Sequence, residues 1–596
     1  VGFLKKFFSK SNKVLSYKTE SLGVIAFGIG LILLLTKIAG LLKLQVLAAI
    51  YGVQSVELDL FNAANVIPEF IFTIVVIGGI NAALIPVFSQ SSIHESTERS
   101  KRIFSSIVNI FFIVLLIICT LIYIFAFQIV ELSTNVRLSN SVSTLTPGDY
   151  IKFTELLRIL IISPIILCVS SIFSSLLQVR KYFWTTTLAP LFYNFGIIAS
   201  ALYIRYYGGE IDILAYGVII GSILHFLVQV PAIFKAGIEY SPVIDIKDKY
   251  VHRAIKNTLP RMLSLASDYI GNIFQVLIAL NLPTGSLTAF KLAISIRDLP
   301  SSMFGISVAQ AYFPKMSEHG AKGEILDLQK IFSKAIRHIL FWTIPVTVLI
   351  IVLRTPIVQL IYGVLSKNVD FRGTNLIAYA LLFLSVGVIF YSILAVVNRA
   401  FFALNDSVTP TVISVISIFI ELILTYTLVN LFSNFDDSLS LNPIFVISNL
   451  DNYFINGNSS AAVGGIALAS SLAIFINLAM LIRSLKKKGI NFFFEPKFIF
   501  NKTISGLIAL FIGLIAFRLP IADAFGLFYT EKVYGVILTT LNITFITLLT
   551  YYICEKLFKD EDISLFENAV TKIGSYSIKL KNLFVKNKII GVGTGS

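Results

Sequence analysis

LGVIAFGIGLILLLTKIAGLLKLQVLAAI, residues 22–50, is apolar throughout except for a few polar side chains, and its only charges are Lys37 and Lys43. A stretch of this length crosses a bilayer as a helix, because about 20 apolar residues rising about 1.5 Å each cover the hydrocarbon core. A lysine facing lipid near mid-bilayer costs about 2.5–3.5 kcal/mol or more, so an ammonium there usually lines a polar cavity. Six residues apart on a helix, the two side chains are turned about 120° from each other and lie about 9 Å apart along the axis. Both can look into one broad cavity. A cationic cavity inside a membrane points to anionic cargo.

Composition carries the same reading to the whole chain. Of 596 residues, 56% are hydrophobic and only 14% charged, with a mean hydropathy of +0.85. Soluble domains carry about 25% charged residues, so this composition describes an all-α polytopic membrane protein. The net charge of +15 is not a nucleic-acid footprint, because the basic residues sit mostly between apolar runs. Cys119, Cys168 and Cys554 fall inside apolar runs without metal-ligand spacing and read as small buried thiols. The lysine-rich N-terminus reads as a retained anchor.

Fourteen runs are long enough to span: 22–50, 59–88, 103–131, 153–178, 183–204, 212–234, 258–281, 286–314, 338–363, 375–402, 409–431, 462–482, 499–519 and 533–555. Alternate loops are basic: 89–102, 179–182, 235–257, 315–337 and 483–498, the last three with five Lys/Arg each. The opposite loops are poor in Lys/Arg, and 432–461 has none while carrying Asp436, Asp437 and Asp451. Both termini are therefore expected in the cytoplasm.

The chain also repeats itself. SLLQVRKYFWTTTLAPLFYNFGIIASALYI (175–204) is similar to VVNRAFFALNDSVTPTVISVISIFIELILTYTL (396–428). In the same order, YGVIIGSILHFLVQVPAIFK from Tyr216 is similar to GGIALASSLAIFINLAMLIR from Gly464, and both open on small residues that let helices approach closely. Two six-helix lobes in one orientation imply parallel repeats with a site at their interface, the layout of alternating-access transporters. The expected division is a basic N-terminus (1–21), an N-lobe (22–250), a C-lobe (251–498), two extra helices (499–555) and a basic tail (556–596).

TKIAGLLKLQVLAAIYG (36–52), DLFNAANVIP (59–68), GGINAALIPVFSQ (78–90), LAPLFYNFGIIASAL (188–202), LPSSMFGISVAQAYFPKMS (299–317) and NRAFFALNDSVTPTVI (398–413) together resemble the MurJ/MviN lipid II flippases, from about residue 20 to 555. The resemblance implies a V-shaped pair of six-helix lobes and a cargo of undecaprenyl-diphosphate-linked peptidoglycan precursor. The last two helices would line a groove for its polyprenyl tail. The family usually carries arginine where this chain has Lys37 and Lys43, so charge is kept but the bidentate fork is lost. Lys43 matches a cavity arginine that contacts the diphosphate, and Asp59 matches the acid of the second span, which positions a cation. The other two cavity arginines fall at Phe72 or Thr73 and at Ser295, so both are missing. Lys291, one turn before Ser295, can reach the same region. Arg297 points elsewhere and can pair with Asp298. The competing reading for each cation is snorkelling or a local ion pair.

A second constellation lies in the C-lobe. Glu421 sits about twelve residues into the eleventh span, where a carboxylate is protonated, paired or a cation ligand. The resemblance implies a sodium site at Gln275, Glu421, Thr425, the Ile466 carbonyl and Ser470. A proton on Glu421 or a structural hydrogen bond are the alternatives. Arg158 reads as a vestibule residue, His225 as a packing histidine and Asn194 as a hydrogen bond between helices. There is no phosphate-binding loop and no nucleophile elbow. These features describe a transporter rather than an enzyme.

The expected function is translocation of lipid II from the inner to the outer leaflet of the bacterial cytoplasmic membrane. It would run by alternating access, with Na+ or H+ as coupling ion. The expected partners are the lipid-linked anionic glycan and membrane lipids, with no nucleic acid, and the protein is expected to be a monomer. The alternatives are a flippase for another polyprenyl-linked glycan, a cation-coupled multidrug exporter, or a transport-inactive relative that recruits partners. Only about 44 residues follow Tyr552, too few for a partner-binding domain.

Overall fold

A computed structural model describes residues 22–80, 97–134, 145–180, 182–236, 240–363, 371–433, 462–490, 496–518 and 533–558. The basic N-terminus, the acidic 434–461 loop and most of the basic tail lie outside the described residues. Every element among the described residues is helical, as the hydropathy pattern predicts.

In chain order, the first half holds α1 (Leu22–Tyr51), α2 (Val56–Ala64), α3 (Val66–Ile71), a π-helix (Phe72–Ile80), α4 (Thr97–Ile124) and α5 (Ala126–Thr134). It continues with α6 (Pro147–Leu160), α7 (Ser163–Val179), α8 (Phe183–Tyr207), α9 (Asp212–Leu227) and α10 (Val230–Lys235). The second half holds α11 (Lys249–Leu280), α12 (Ser286–Pro300), a π-helix (Ser301–Ile306), α13 (Ser307–Lys322), α14 (Ile325–Val352), α15 (Arg354–Val358) and a third π-helix (Gln359–Gly363). It ends with α16 (Phe371–Ala403), α17 (Val408–Ser433), α18 (Ala462–Lys487), α19 (Pro496–Arg518) and α20 (Val533–Leu557).

Twelve helices among the described residues are long and apolar enough to cross a membrane. The two other expected spans, 258–281 and 286–314, are also helical but more polar. α11 opens on Lys249, Arg253 and Lys256, leaving Tyr269–Leu280 as its apolar end. The α12–α13 rod carries Lys291, Arg297 and Asp298.

Local chemistry sets the helix boundaries. Thr146 caps α6 in a reciprocal box with Asp149, and Pro147 fills the first turn, where a missing N–H costs nothing. Ser55 and Asp248 cap α2 and α11 through the side chain alone, accepting from the Leu58 and Tyr250 amides. The fourth span breaks into α6 and α7 just before Pro164, whose ring cannot donate into the ladder.

The chain divides into two compact units. The first comprises Val1–Ile296, Val358–Leu384 and Thr411–Asn477. One core in this unit packs Ile71, Val75 and Val76 against Ile107, Phe111, Cys168, Ile172 and Val251. The small residues singled out in the repeat serve close packing here. A Cβ on Gly196 would lie 2.4 Å from the Gly221 Cα, and one on Gly217 would overlap the Ser200 hydroxyl, so α8 and α9 meet backbone to backbone. In the second copy of the pattern, a Cβ on Gly465 would lie 2.7 Å from the Leu428 carbonyl oxygen, which brings α17 and α18 equally close.

The second unit comprises Arg297–Ile357, Ser385–Pro410 and Leu478–Ser596. Its core joins Val348, Val352, Leu353, Ala509, Ile543 and Tyr551, so α19 and α20 pack on α14 and on each other. At the centre of that packing Lys502 donates to Glu555 at 2.6 Å, and both side chains are 1% exposed. The Lys502 ammonium also lies 4.6 Å from the Phe341 ring centroid. At the turn before α17, Asp406 accepts from Lys488 at 2.8 Å and from the Thr409 amide and hydroxyl at 3.0 and 2.6 Å.

Two predictions follow from the second unit. Removing one partner of the buried pair, as in Lys502→Met, is expected to cost about 3–5 kcal/mol, and Lys502→Met with Glu555→Leu should recover most of it. Thermal melts of the purified protein in detergent measure both, and a double variant no better than the single one contradicts the assignment. Burial alone would raise the Asp406 carboxyl, but Lys488 and Thr409 outweigh it and hold its pKa at about 2. Its contribution to stability is therefore complete above the unfolded value of about 4 and is lost as the pH falls toward about 2. Asp406→Asn should lower stability by about 1 kcal/mol at pH 7, with the difference closing below about pH 3.

Candidate functional site

The first cluster is organised by Asp59. In the second span α2 hands over to α3 at Asn65 and the backbone ladder continues through it: Asn65 N–H donates to the Phe61 carbonyl at 3.1 Å and Glu69 N–H to that of Asn65 at 3.0 Å. Asp59, on α2, is 5% exposed and accepts three hydrogen bonds from the start of α12. The Gly285 amide donates at 2.6 Å, the Thr288 amide at 2.8 Å and the Thr288 hydroxyl at 2.6 Å. A carboxylate is well placed there, because the first turn of a helix has unpaired N–H groups and the positive end of the dipole. Gly285 reaches this position with φ +90°, and a Cβ there would lie 2.9 Å from the Gln54 Cα, so only glycine fits.

Lys291, one turn further along α12, donates to the Asn62 carbonyl at 2.8 Å, and Asn62 in turn donates to the Thr288 hydroxyl at 3.2 Å. Lys43 is half-buried on α1. Lys43 and Lys291 act on each other electrostatically, and Glu69 acts on both; Asp59 also acts on Lys291. The structure thus brings Lys43, Asp59 and Lys291 into one charged cluster. It adds Glu69, which the sequence reading did not single out.

The remaining candidates are placed differently. Lys37 is exposed on a face of α1 shared with exposed Leu33, Leu34 and Ile38. Ser295 is tied to the Tyr362 hydroxyl at 2.6 Å and to the Leu292 carbonyl at 2.7 Å. Arg297 is 8% exposed, pairs with Asp298 at 2.8 Å and stacks over the Tyr391 ring, so it forms a local ion pair. Arg158 lies over the Tyr123 ring and donates to the Tyr123 carbonyl. His225 is buried and meets the Ser170 hydroxyl at 2.6 Å, a hydroxyl that also accepts from Gln229. Asn194 was expected to bond between helices. Instead it donates within α8 to the Pro190 carbonyl at 3.2 Å.

The second cluster lies where α11 meets α17, which α18 crosses further along. The Gln275 amide donates to Glu421, and a Cβ on Gly271 would lie 3.2 Å from the other Glu421 oxygen. Thr425 is one turn from Glu421 on the same face and is 1% exposed, and among the described residues its hydroxyl has no hydrogen-bond partner. Ile466 and Ser470 are buried on α18, starting one residue beyond the Gly465 crossing with Leu428. The orphaned Thr425 oxygen beside a carboxylate and an amide suits a hard cation, which takes oxygen ligands.

Comparison with known proteins gives these clusters a context. The family model described as "Lipid II flippase MurJ" matches residues 47–532. This chain belongs to the MurJ family. A protein of Borreliella burgdorferi named probable lipid II flippase MurJ is 24% identical over 491 residues, covering 81% of this chain and 93% of that protein. One of the same name from Treponema pallidum is 24% identical and covers 66% and 74%. Among solved structures, a lipid II flippase MurJ in an inward closed conformation superposes with a TM-score of 0.68 at 23% identity, over 89% of this chain and 98% of that one. An inward-facing multidrug transporter of the MATE family, in the MOP superfamily, gives 0.54 at 14%, over 76% and 96%. These structural likenesses establish a multi-pass MurJ-type fold.

The Asp59 geometry generates a test. Asp59→Ala removes the acceptor for two α12 amides and is expected to lower stability by about 2–3 kcal/mol, whereas Asp59→Asn, which keeps one acceptor oxygen, should lose less. Equal thermal melts for both variants and the parent would contradict the capping role.

Proposed function

We propose that this MurJ-family chain translocates undecaprenyl-diphosphate-linked peptidoglycan precursor across the bacterial cytoplasmic membrane, from the inner to the outer leaflet. The observation that carries this reading is that Lys43, on a helix long and apolar enough to cross a membrane, shares one charged cluster with Lys291 of α12. Two half-buried ammonium groups attract a diphosphate more strongly than they would at a fully exposed surface. The names of the relatives in Borreliella and Treponema agree with it.

The movement is alternating access by the two six-helix halves, with the Asp59 cap on α12 as the contact that must break and reform. Moving two or more negative charges outward is favoured by a negative-inside potential by about 2.3 kcal/mol per charge per 100 mV. A sodium ion bound by Glu421, Thr425, Ser470, Gln275 and the Ile466 carbonyl would supply a second drive. For that, the Gln275 amide turns its oxygen toward the ion. The protein works as a monomer with both termini in the cytoplasm, the polyprenyl tail staying in lipid beside α19 and α20. Lys37, exposed among leucines, suits first contact with the cargo as it enters from the leaflet.

Complementation of a strain depleted of its own lipid II flippase tests the cargo. Expected results are rescue by the parent chain and about a hundredfold loss of colony formation with Lys43→Ala plus Lys291→Ala, on the order of two lost charge-assisted contacts. Full rescue by the well-expressed double variant overturns the site. Failure of the well-expressed parent overturns lipid II as cargo.

A further inference from the structure

Glu69 belongs to no motif that the family resemblance supplied. It sits mid-membrane in the second span, next to Pro68, and is exposed while Val66, Pro68 and Ile71 around it are buried. Because the backbone ladder runs unbroken through Asn65, Glu69 lies seven residues from Asn62 and so on nearly the same face, about two turns away. The Asn62 carbonyl is where the Lys291 ammonium is anchored. Glu69 is also the carboxylate that acts on Lys43, and Tyr193 of α8 feels its charge as well. The other acid of the cluster, Asp59, already accepts three hydrogen bonds from α12. Among the described residues no hydrogen-bond donor is fixed on the Glu69 carboxylate, and the residue is exposed. A carboxylate exposed here and within electrostatic reach of two lysines is placed to share charge with both.

We propose that Glu69 is a built-in counter-anion, holding the ammonium groups of Lys43 and Lys291 between loads and giving them up to the diphosphate of a polyprenyl-linked cargo. The inference rests on the functional reading above and deepens it. With no cargo present, two lysines so near each other would repel and recruit stray anions; Glu69 offsets part of that charge. When a diphosphate arrives it takes the lysines, and Glu69 turns to water. On the far side the carboxylate competes for the lysines again, which speeds release. Glu69 therefore weakens resting affinity for anions and sets selectivity: a carrier of this kind favours cargo with two or more negative charges over singly charged lipids, which cannot displace the carboxylate from both cations.

The test uses the full chain in lipid nanodiscs titrated with undecaprenyl diphosphate, and in liposomes with a fluorescent polyprenyl-diphosphate lipid. Glu69→Gln is expected to bind the diphosphate about tenfold more tightly and to flip it more slowly at saturation. It should also accept the corresponding polyprenyl monophosphate with less discrimination. Glu69→Asp, which keeps the charge, should behave nearly as the parent. Lys43→Gln added to Glu69→Gln should erase the gain in affinity, an outcome that a merely structural role for Glu69 would not produce. Parent binding that Lys43→Gln weakens but Glu69→Gln leaves unchanged, or reduces, overturns the counter-anion alone. A parent that shows no binding, or binding indifferent to Lys43→Gln, overturns the functional reading and this inference with it.

Discussion

A charge held inside a lipid-embedded helix bundle has to be matched, because the surrounding hydrocarbon offers neither water nor counter-ions. Much of this protein's architecture is arranged around that constraint, and the ways of meeting it differ with the purpose of the charge. Lys502 and Glu555 illustrate permanent matching: a short contact, 1% exposure on both sides and an aromatic ring against the ammonium. Such a pair is costly to open, since each partner would be left desolvated and alone. It suits α19 and α20, whose packing on α14 has no evident need to change.

Asp59 is matched differently, by the unpaired amides at the start of α12 rather than by a cation. Hydrogen bonds to a helix end depend on direction, so a small rotation of α12 is enough to lose them. Lys43 and Lys291 are matched by the charges of Glu69 and Asp59, and Lys291 by one carbonyl besides. The range from sealed pair to open cluster separates what the molecule holds fixed from what it leaves available to a ligand.

Legibility from sequence follows the same division. Span lengths, the helical class and the small-residue seams were readable because hydropathy and glycine spacing act locally: Gly196, Gly217, Gly221 and Gly465 all sit where backbones touch. The Lys291 reading was reachable from its one-turn offset to Ser295. Glu69 falls just past the DLFNAANVIP stretch that carries the family resemblance, so its only sequence signal is a lone carboxylate beside Pro68 in an apolar run. Lys37 could not be told from Lys43 by spacing, since the face of α1 that meets other helices is set by packing over long sequence distances. Asn194 shows a smaller version of this: the residue type predicts a hydrogen bond, but Pro190 one turn earlier decides that it stays within the helix.

The departures from the usual family pattern form one coherent set. Arginine grips a carboxylate through two parallel hydrogen bonds, which fixes the pair and slows its exchange. Lysine is a point charge on a flexible stem and lets go more readily. An arginine beside Glu69 would be locked in a fork that a diphosphate must break, whereas Lys43 and Lys291 can be shared between the carboxylate and the cargo. A cluster with fewer, weaker cations and two acids, Asp59 and Glu69, would hold a doubly charged head group less tightly and release it sooner. With two arginines replaced by neutral residues and a third by lysine, a counter-anion at Glu69 would lower resting affinity further and favour release over grip.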